Sequence, residues 1–181
     1  MGQARTFKRR DLETMKHVSL LRHAKALPAD SSGDDFARPL AETGRAMATK
    51  VGQATMTEVP DLVLCSPARR TRETIALVSQ AWPHQPEVQF EVPLYLAEWD
   101  AILERLRQLP DDATNVWIVG HNPGLHELAI EFARYGGIPV IDDELGRHFP
   151  TATRACFSFD VADWRSLPSS RTQLSAFVIT R

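Results

Sequence analysis

The stretch NVWIVGHNPG at residues 115–124 joins a run of apolar residues to an abrupt, polar and glycine-rich end. Its first half has the β-branched and aromatic composition of a buried strand, and its second half has the composition of a loop. Residues 125–133 then repeat apolar side chains at the spacing of an amphipathic helix. We therefore predict a buried strand, a loop that carries His121, and a helix that follows immediately.

Two earlier stretches have the same form. Residues 17–21, HVSLL, are followed by Arg22 and His23. Residues 61–65, DLVLC, end at a Ser-Pro pair with Arg69 close behind. Each stretch predicts a short buried strand that ends in polar residues suited to chemistry.

The remaining chain alternates between helical and strand patterns. Helices are predicted over 43–58, 68–81 and 101–109, a strand over 87–92, and two late strands over 154–161 and 174–179. This alternation favours an α/β domain, a three-layer α/β/α sandwich with a mostly parallel central sheet. Sites in such sheets form at the carboxyl ends of strands, so Arg22, His23, Arg69 and His121 are expected to converge in one crevice.

Composition excludes several classes of protein. The chain has 181 residues, 43% hydrophobic and 24% charged, with a net charge of −2, which is typical of one globular domain. The small net charge argues against nucleic acid or an anionic membrane as a partner. No apolar run reaches the ~20 residues that span a bilayer.

The two ends and the cysteines complete this outline. Residues 1–16 are basic and are expected to form an N-terminal extension, followed by a single domain over 17–181. The extension has no apolar segment of a secretory signal, so we expect a cytoplasmic protein. Cys65 and Cys156 lie in apolar runs and are expected to be reduced, structural thiols.

The expected crevice would suit a phosphoryl group. Two guanidinium groups and a protonated His121 would bind a tetrahedral dianion through forked hydrogen bonds. A neutral His23, with Nδ1 held by a backbone carbonyl of the following loop, could attack phosphorus and carry the group covalently. Arg70 and Arg72 are expected on the solvated face of the helix.

Other readings of these residues stay open at this point. A single histidine or arginine at a strand end is more often structural than catalytic. His121 and His126 lack the spacing of a metal-binding motif, so no metal or other cofactor is expected. The chain also lacks the glycine-rich loops that bind nucleotides and the G-x-S-x-G motif of serine hydrolases.

Four segments, in this order, resemble the histidine phosphatase superfamily, which includes the cofactor-dependent phosphoglycerate mutases, and a fifth, later segment resembles its SixA-type branch. The resemblance extends over nearly the whole chain from residue 18 to residue 179 and implies a phosphoglycerate mutase-like fold. Ala24 stands where the signature usually has glycine, as in the SixA-type branch. The segments are LLRHA at 20–24, RPLAETG at 38–44, SPARRTRET at 66–74, VGHNP at 119–123 and FPTA at 149–152.

The resemblance implies a role for each matching residue. His23 would be the phosphorylated nucleophile, and Arg22, Arg69 and His121 would form the phosphate pocket. The compact chain is most similar to SixA-type phosphohistidine phosphatases.

Three further residues are candidates for the site. Asn122 would add a substrate contact, and Thr151 or its backbone would lie at the rim. Glu98 is the candidate for the acid that larger members use to protonate an alkoxide leaving group.

The expected function is hydrolysis of a phosphoryl group, with protein phosphohistidine as the favoured substrate. Weak support for an acid favours this substrate, because a phosphoramidate depends less on an acid than an ester does. The alternatives are a small-molecule phosphomonoesterase and a non-catalytic module that binds phosphate or phosphoproteins. The partner would be a phosphorylated protein or a small phosphorylated substrate, and the oligomeric state stays open.

Overall fold

A computed structural model describes residues 15–29, 31, 33–139 and 144–181. Within these ranges the chain forms one six-stranded sheet with helices on both faces. The strands are β1 (Met15–Arg22), β2 (Leu62–Cys65), β3 (Glu87–Phe90), β4 (Asn115–Gly120), β5 (Thr153–Asp160) and β6 (Thr172–Ile179). The helices are α1 (Glu42–Ala54), α2 (Arg69–Ser79), α3 (Trp99–Arg107), α4 (Gly124–Tyr135) and α5 (Glu144–Arg147), with 3₁₀ turns at Val92–Leu94 and Trp164–Ser166.

The strand order across the sheet is β3-β2-β4-β1-β5-β6. The four strands from β3 to β1 run parallel, and β5 and β6 join antiparallel at the β1 edge. The prediction of an α/β fold with a mostly parallel sheet is confirmed. Because β1 and β2 flank β4, the three predicted strand ends lie side by side.

Each face of the sheet has its own hydrophobic core. On one face α1 and α2 bury Val51 and Ile75, and Trp82 meets Trp117 of β4 edge to face with ring centroids 5.1 Å apart. On the other face α3 and α4 bury a larger set, with Phe132 packed between the rings of β5. Full burial of one such large side chain contributes roughly 1.5–3 kcal/mol, so these two cores hold the three layers together.

The N-terminal boundary differs from the prediction. β1 begins at Met15, and Lys16, assigned above to the extension, is buried with Nζ donating to the carbonyl of Ala113 at 3.2 Å. Its ammonium group also lies 5.5 Å from the centre of the Trp164 ring. The rest of the predicted extension, residues 1–14, lies outside the described residues.

The other differences are small. Helix α1 ends at Ala54, four residues before the predicted end, and β3 gives way to a 3₁₀ turn after Phe90.

Both Cys65 and Cys156 are free thiols. In the described part of the chain, no helix has the length and apolarity needed to cross a membrane.

Candidate active site

Backbone hydrogen bonds fix the polar residues that follow β1, β2 and β4 at one edge of the sheet. The His23 amide donates to the Gly120 carbonyl at 3.1 Å, and the Ser66 amide donates to the Val119 carbonyl at 3.0 Å. These bonds continue the parallel ladders beyond the strands. The predicted convergence of Arg22, His23 and His121 is therefore present.

The His23 ring is held in one tautomer. Its Nδ1 lies 2.8 Å from the carbonyl oxygen of Ala24, and a carbonyl only accepts, so Nδ1 carries the proton. Nε2 is then left with its lone pair, 3.3 Å from Nε of Arg70. Burial lowers the pKa of His23 to about 4, with the nearby guanidinium of Arg70 acting in the same direction. The ring is therefore neutral near pH 7 and has the state that a nucleophile needs.

The second pocket arginine is Arg70, and the placement of Arg69 there is wrong. The Arg70 side chain is only 3% exposed and contacts both histidines, whereas Arg69 is 58% exposed and pairs with Glu73 at 2.7 Å. Arg72 is exposed, as predicted, with its guanidinium 5.4 Å from the centre of the Phe90 ring.

The helical periodicity of α2 already favours Arg70 over Arg69 as the buried arginine. Successive residues of a helix are about 100° apart, and the buried face of α2 includes Thr71, Ile75 and Val78. Arg70 lies closer to the centre of that face, and Arg69 lies nearly opposite to it. Arg70 was expected on the solvated face of this helix, but that face carries Arg69 instead.

His121 lies beside His23, with ring centroids 5.3 Å apart. Arg70 can only donate, so His121 Nδ1 accepts its hydrogen bond at 3.2 Å, and Nε2 donates to the Ser66 hydroxyl at 2.8 Å. Burial, followed by the charge of Arg70, lowers the pKa of His121 to about 3. The expectation of a protonated His121 is therefore wrong for the pocket without a ligand.

Arg22 and Asn122 meet at the carbonyl oxygen of Phe149. Arg22 donates to it through one terminal nitrogen at 2.8 Å, and Asn122 Nδ2 donates at 2.9 Å. Nε of Arg22 and Oδ1 of Asn122 are buried and have no hydrogen-bond partner within the described residues. A buried, unpaired guanidinium N–H costs free energy unless it binds an acceptor, which here favours an oxyanion.

The structure adds three residues that the sequence did not indicate as a group: Asp35, Arg38 and Tyr95. The Asp35 carboxylate accepts hydrogen bonds from the Tyr95 hydroxyl at 2.8 Å, from Arg70 at 2.9 Å and from Arg38 at 2.7 Å. These contacts, with that of Tyr95 the largest, hold the pKa of Asp35 well below its usual range. Asp35 is thus an ionised residue that orients Arg70 towards His23.

Thr151 lies in the segment that covers the end of β1. The amide of Ala152, whose φ of +58° is in the left-handed region, donates to the carbonyls of Arg22 and His23 at 3.2 and 3.1 Å. Thr151 itself is half-buried beside this contact. Its predicted role at the rim stays a proposal.

Glu98 is exposed at the N-cap of α3. Its backbone approaches the histidine loop closely, because a Cβ at Gly124 would lie 2.0 Å from the carbonyl oxygen of Ala97 and 3.2 Å from the Glu98 carbonyl carbon. The glycine of the HNPG stretch is therefore required for α4 to dock here. The hydrogen bonds described for the site do not include the Glu98 carboxylate, so its role as an acid stays a prediction.

Charge decides what this pocket can bind. Three positive charges come from Arg22, Arg38 and Arg70. The carboxylate of Asp35 offsets one of them. The surplus suits a phosphoryl dianion bound beside the unprotonated Nε2 of His23. Among the described residues, no group of three or more potential ligands is arranged to hold a metal ion.

Comparison with known proteins identifies the family. Residues 18–101 match the model of the histidine phosphatase superfamily, branch 1. An uncharacterized protein of Mycobacterium tuberculosis is 32% identical over 135 residues, which cover 73% of this chain and 82% of the relative. A solved structure from Nakamurella multipartitia, provisionally named phosphohistidine phosphatase SixA, is 30% identical with a TM-score of 0.79 and covers 92% of this chain and 96% of its own. A second, from Agrobacterium tumefaciens and with the same provisional name, is 27% identical with a TM-score of 0.75 and covers 91% and 97%. With His23 at the end of β1 and the buried Arg70 of α2 beside it, the chain belongs to the histidine phosphatase superfamily as a SixA-like histidine phosphatase.

Proposed function

We propose that the chain hydrolyses the phosphorus–nitrogen bond of a protein phosphohistidine and that His23 carries the phosphoryl group between two steps. The observation that carries the proposal is the state of the His23 ring. Its Nδ1 proton is held by the Ala24 carbonyl at 2.8 Å, and its unprotonated Nε2 lies 3.3 Å from Nε of Arg70. A ring in this state can only react through Nε2.

In the first step, the Nε2 lone pair forms a bond to phosphorus as the bond to the substrate's imidazole nitrogen breaks. The electron pair stays on the leaving ring, which departs as neutral imidazole because its other nitrogen carries a proton. Arg22 and Arg70 stabilise the charge on the equatorial oxygens during the transfer.

In the second step, a water oxygen bonds to phosphorus and Nε2 takes back its electron pair. Because the Ala24 carbonyl keeps the proton on Nδ1, phosphorylated His23 is an imidazolium with a weakened phosphorus–nitrogen bond. The ring therefore returns to its neutral starting state without an added acid. The proton of water leaves with inorganic phosphate or passes to solvent.

The carboxylates near the pocket indicate which leaving group the site can expel. An alkoxide needs a proton from a positioned acid, which is worth ~10²–10⁴-fold in rate. Asp35 is ionised and bound by three donors, and Glu98 is exposed at the start of α3. This arrangement supports a phosphoramidate substrate over a phosphate ester.

The test compares kcat/KM for a histidine-phosphorylated protein with kcat/KM for aryl and sugar phosphates, with His23→Ala as control. We expect the phosphohistidine substrate to be preferred by about 10²-fold or more. The opposite preference would identify a small-molecule phosphomonoesterase. Tight binding of the phosphorylated protein without turnover of any substrate would identify a non-catalytic binding module.

A further inference from the structure

Large apolar side chains are exposed on the two segments that carry Phe36 and Tyr95. Val92 is 72% exposed and Leu96 is 49% exposed, and both belong to the segment that carries Tyr95. The exposed Phe36 ring packs edge to face on the Tyr95 ring at 5.0 Å, and Tyr95 in turn contacts the His121 ring at 5.4 Å. We call Phe36, Val92 and Leu96 the Tyr95 rim. Grouped exposed apolar side chains of this kind mark interaction surfaces.

Leu96 is also strained. Its φ of +52° lies in the left-handed region, which costs a branched L-residue roughly 1–2 kcal/mol. Its side chain gains little from the cores of this chain, because about half of it faces solvent. Strain retained beside an active site at an exposed apolar residue points to a function outside the fold itself.

Two exposed cations lie beside the Phe36 end of the rim. The Arg69 amide donates to the Phe36 carbonyl at 3.0 Å, which places the start of α2 against the rim. Arg69 and Arg45 both approach Glu73, at 2.7 and 3.8 Å, and both are about half exposed. Two cations therefore share one carboxylate, so this end of the rim can bind an acidic side chain of a partner, whereas the exposed carboxylates Glu98 and Asp100 follow Leu96 in the chain.

We propose that Phe36, Val92, Leu96 and Arg69 form the docking surface for the phosphorylated protein. The partner would present an apolar side chain and carboxylates beside its phosphohistidine. This inference rests on the proposed function. His23 is buried and a histidine side chain is short, so the partner's backbone must approach the rim, whereas a small phosphoryl donor can enter the pocket without touching it.

The test uses three substrates with the full chain. Two are histidine-phosphorylated peptides of equal length, one with leucine and two glutamates around the phosphohistidine and one with serine and two lysines instead. The third is phosphoramidate. The variants are Leu96→Gly, which removes the apolar side chain and tolerates the positive φ, and Arg69→Ala. The matched controls are Met56→Ser, an apolar side chain 51% exposed after α1, and Arg134→Ala, which pairs with Glu131 at 2.6 Å on α4.

We expect the wild-type chain to prefer the acidic, leucine-containing peptide about tenfold in kcat/KM, mainly through KM. Leu96→Gly and Arg69→Ala should each lose most of this preference and keep phosphoramidate turnover within about twofold, and the controls should keep both. Equal turnover of the two peptides by the wild type, or equal losses for peptide and phosphoramidate in the variants, would overturn the docking surface and leave the proposed function standing. Turnover of phosphoramidate or esters but of neither peptide would overturn the proposed function instead.

Discussion

Two histidines lie at opposite ends of β1 and differ in the groups that contact their ring nitrogens. His17 lines an open cavity of about 320 Å³, and its Nδ1 lies 3.0 Å from the Ser158 hydroxyl, which contacts Ser175 at 2.7 Å. His23 is buried between a backbone carbonyl and a guanidinium. Glu58 also lines the cavity beside His17, whereas the charged group in contact with His23 is the guanidinium of Arg70.

The difference shows that a fixed tautomer and a neighbouring positive charge distinguish the histidine proposed as the nucleophile. A serine hydroxyl can donate or accept, so it leaves the His17 tautomer undetermined. A carbonyl can only accept and a guanidinium can only donate, so His23 has one state. Arg70 supplies both the donor and the positive charge that a phosphoryl group requires.

The largest expected effect comes from removing the imidazole ring of His23, with removal of the His17 ring as the comparison. His23→Ala should lower kcat by about 10⁴-fold or more, because it removes the proposed nucleophile. His17→Ala should leave kcat within about twofold. Steady-state turnover of phosphoramidate, with thermal unfolding as a check on folding, measures both. Comparable losses in the two variants would remove the distinction between the two ends of β1.

The next effect separates two neighbouring arginines of α2. Arg70→Ala should lower kcat/KM for phosphoramidate by about 10²–10³-fold, as expected for removal of a transition-state donor. Arg69→Ala should change it by no more than about twofold, since its guanidinium is exposed and paired with Glu73. Arg70→Lys is the control for a folding defect, because lysine keeps the positive charge but lacks the planar guanidinium that donates two parallel hydrogen bonds. A larger loss of kcat/KM in Arg69→Ala than in Arg70→Ala would mean that Arg69, and not Arg70, is the pocket arginine.

The smallest effect concerns stability against pH. The folded-state pKa values of about 4 for His23 and about 3 for His121 lie below the ordinary 6.5. The unfolded chain therefore takes up protons on these rings first, and the free energy of unfolding falls as the pH drops from about 6.5 towards 4, by up to ~1.4 kcal/mol per pH unit and ring. His121→Gln should reduce this slope in urea unfolding at about pH 7 and about pH 5. An unchanged slope would mean that His121 does not carry the effect.

The sequence predicted what depends on strand patterning. Apolar runs ending in Arg22-His23 and Gly120-His121 were enough to place the strands and the edge of the sheet where the site forms. The carbonyl that holds His23 Nδ1 was also expected in the following loop, and Ala24 supplies it.

The rest depended on tertiary distances. The choice of Arg70 over Arg69 required the rotation of α2, and the neutral state of His121 required first its burial and then its distance of 3.2 Å from Arg70. Asp35 and Tyr95 meet across 60 residues of chain, and no local pattern brings two such loops together. Long-range packing therefore decided the electrostatics of the site, whereas local pattern decided its position.

The most direct measurement of the central claim is a trapped phosphoenzyme. The chain is mixed with phosphoramidate, quenched in alkali, where phosphohistidine survives, and mapped by mass spectrometry. We predict one phosphoryl group on His23, present in His17→Ala and absent in His23→Ala. Turnover without any label on His23, or a label on another residue that persists in His23→Ala, would contradict the covalent mechanism.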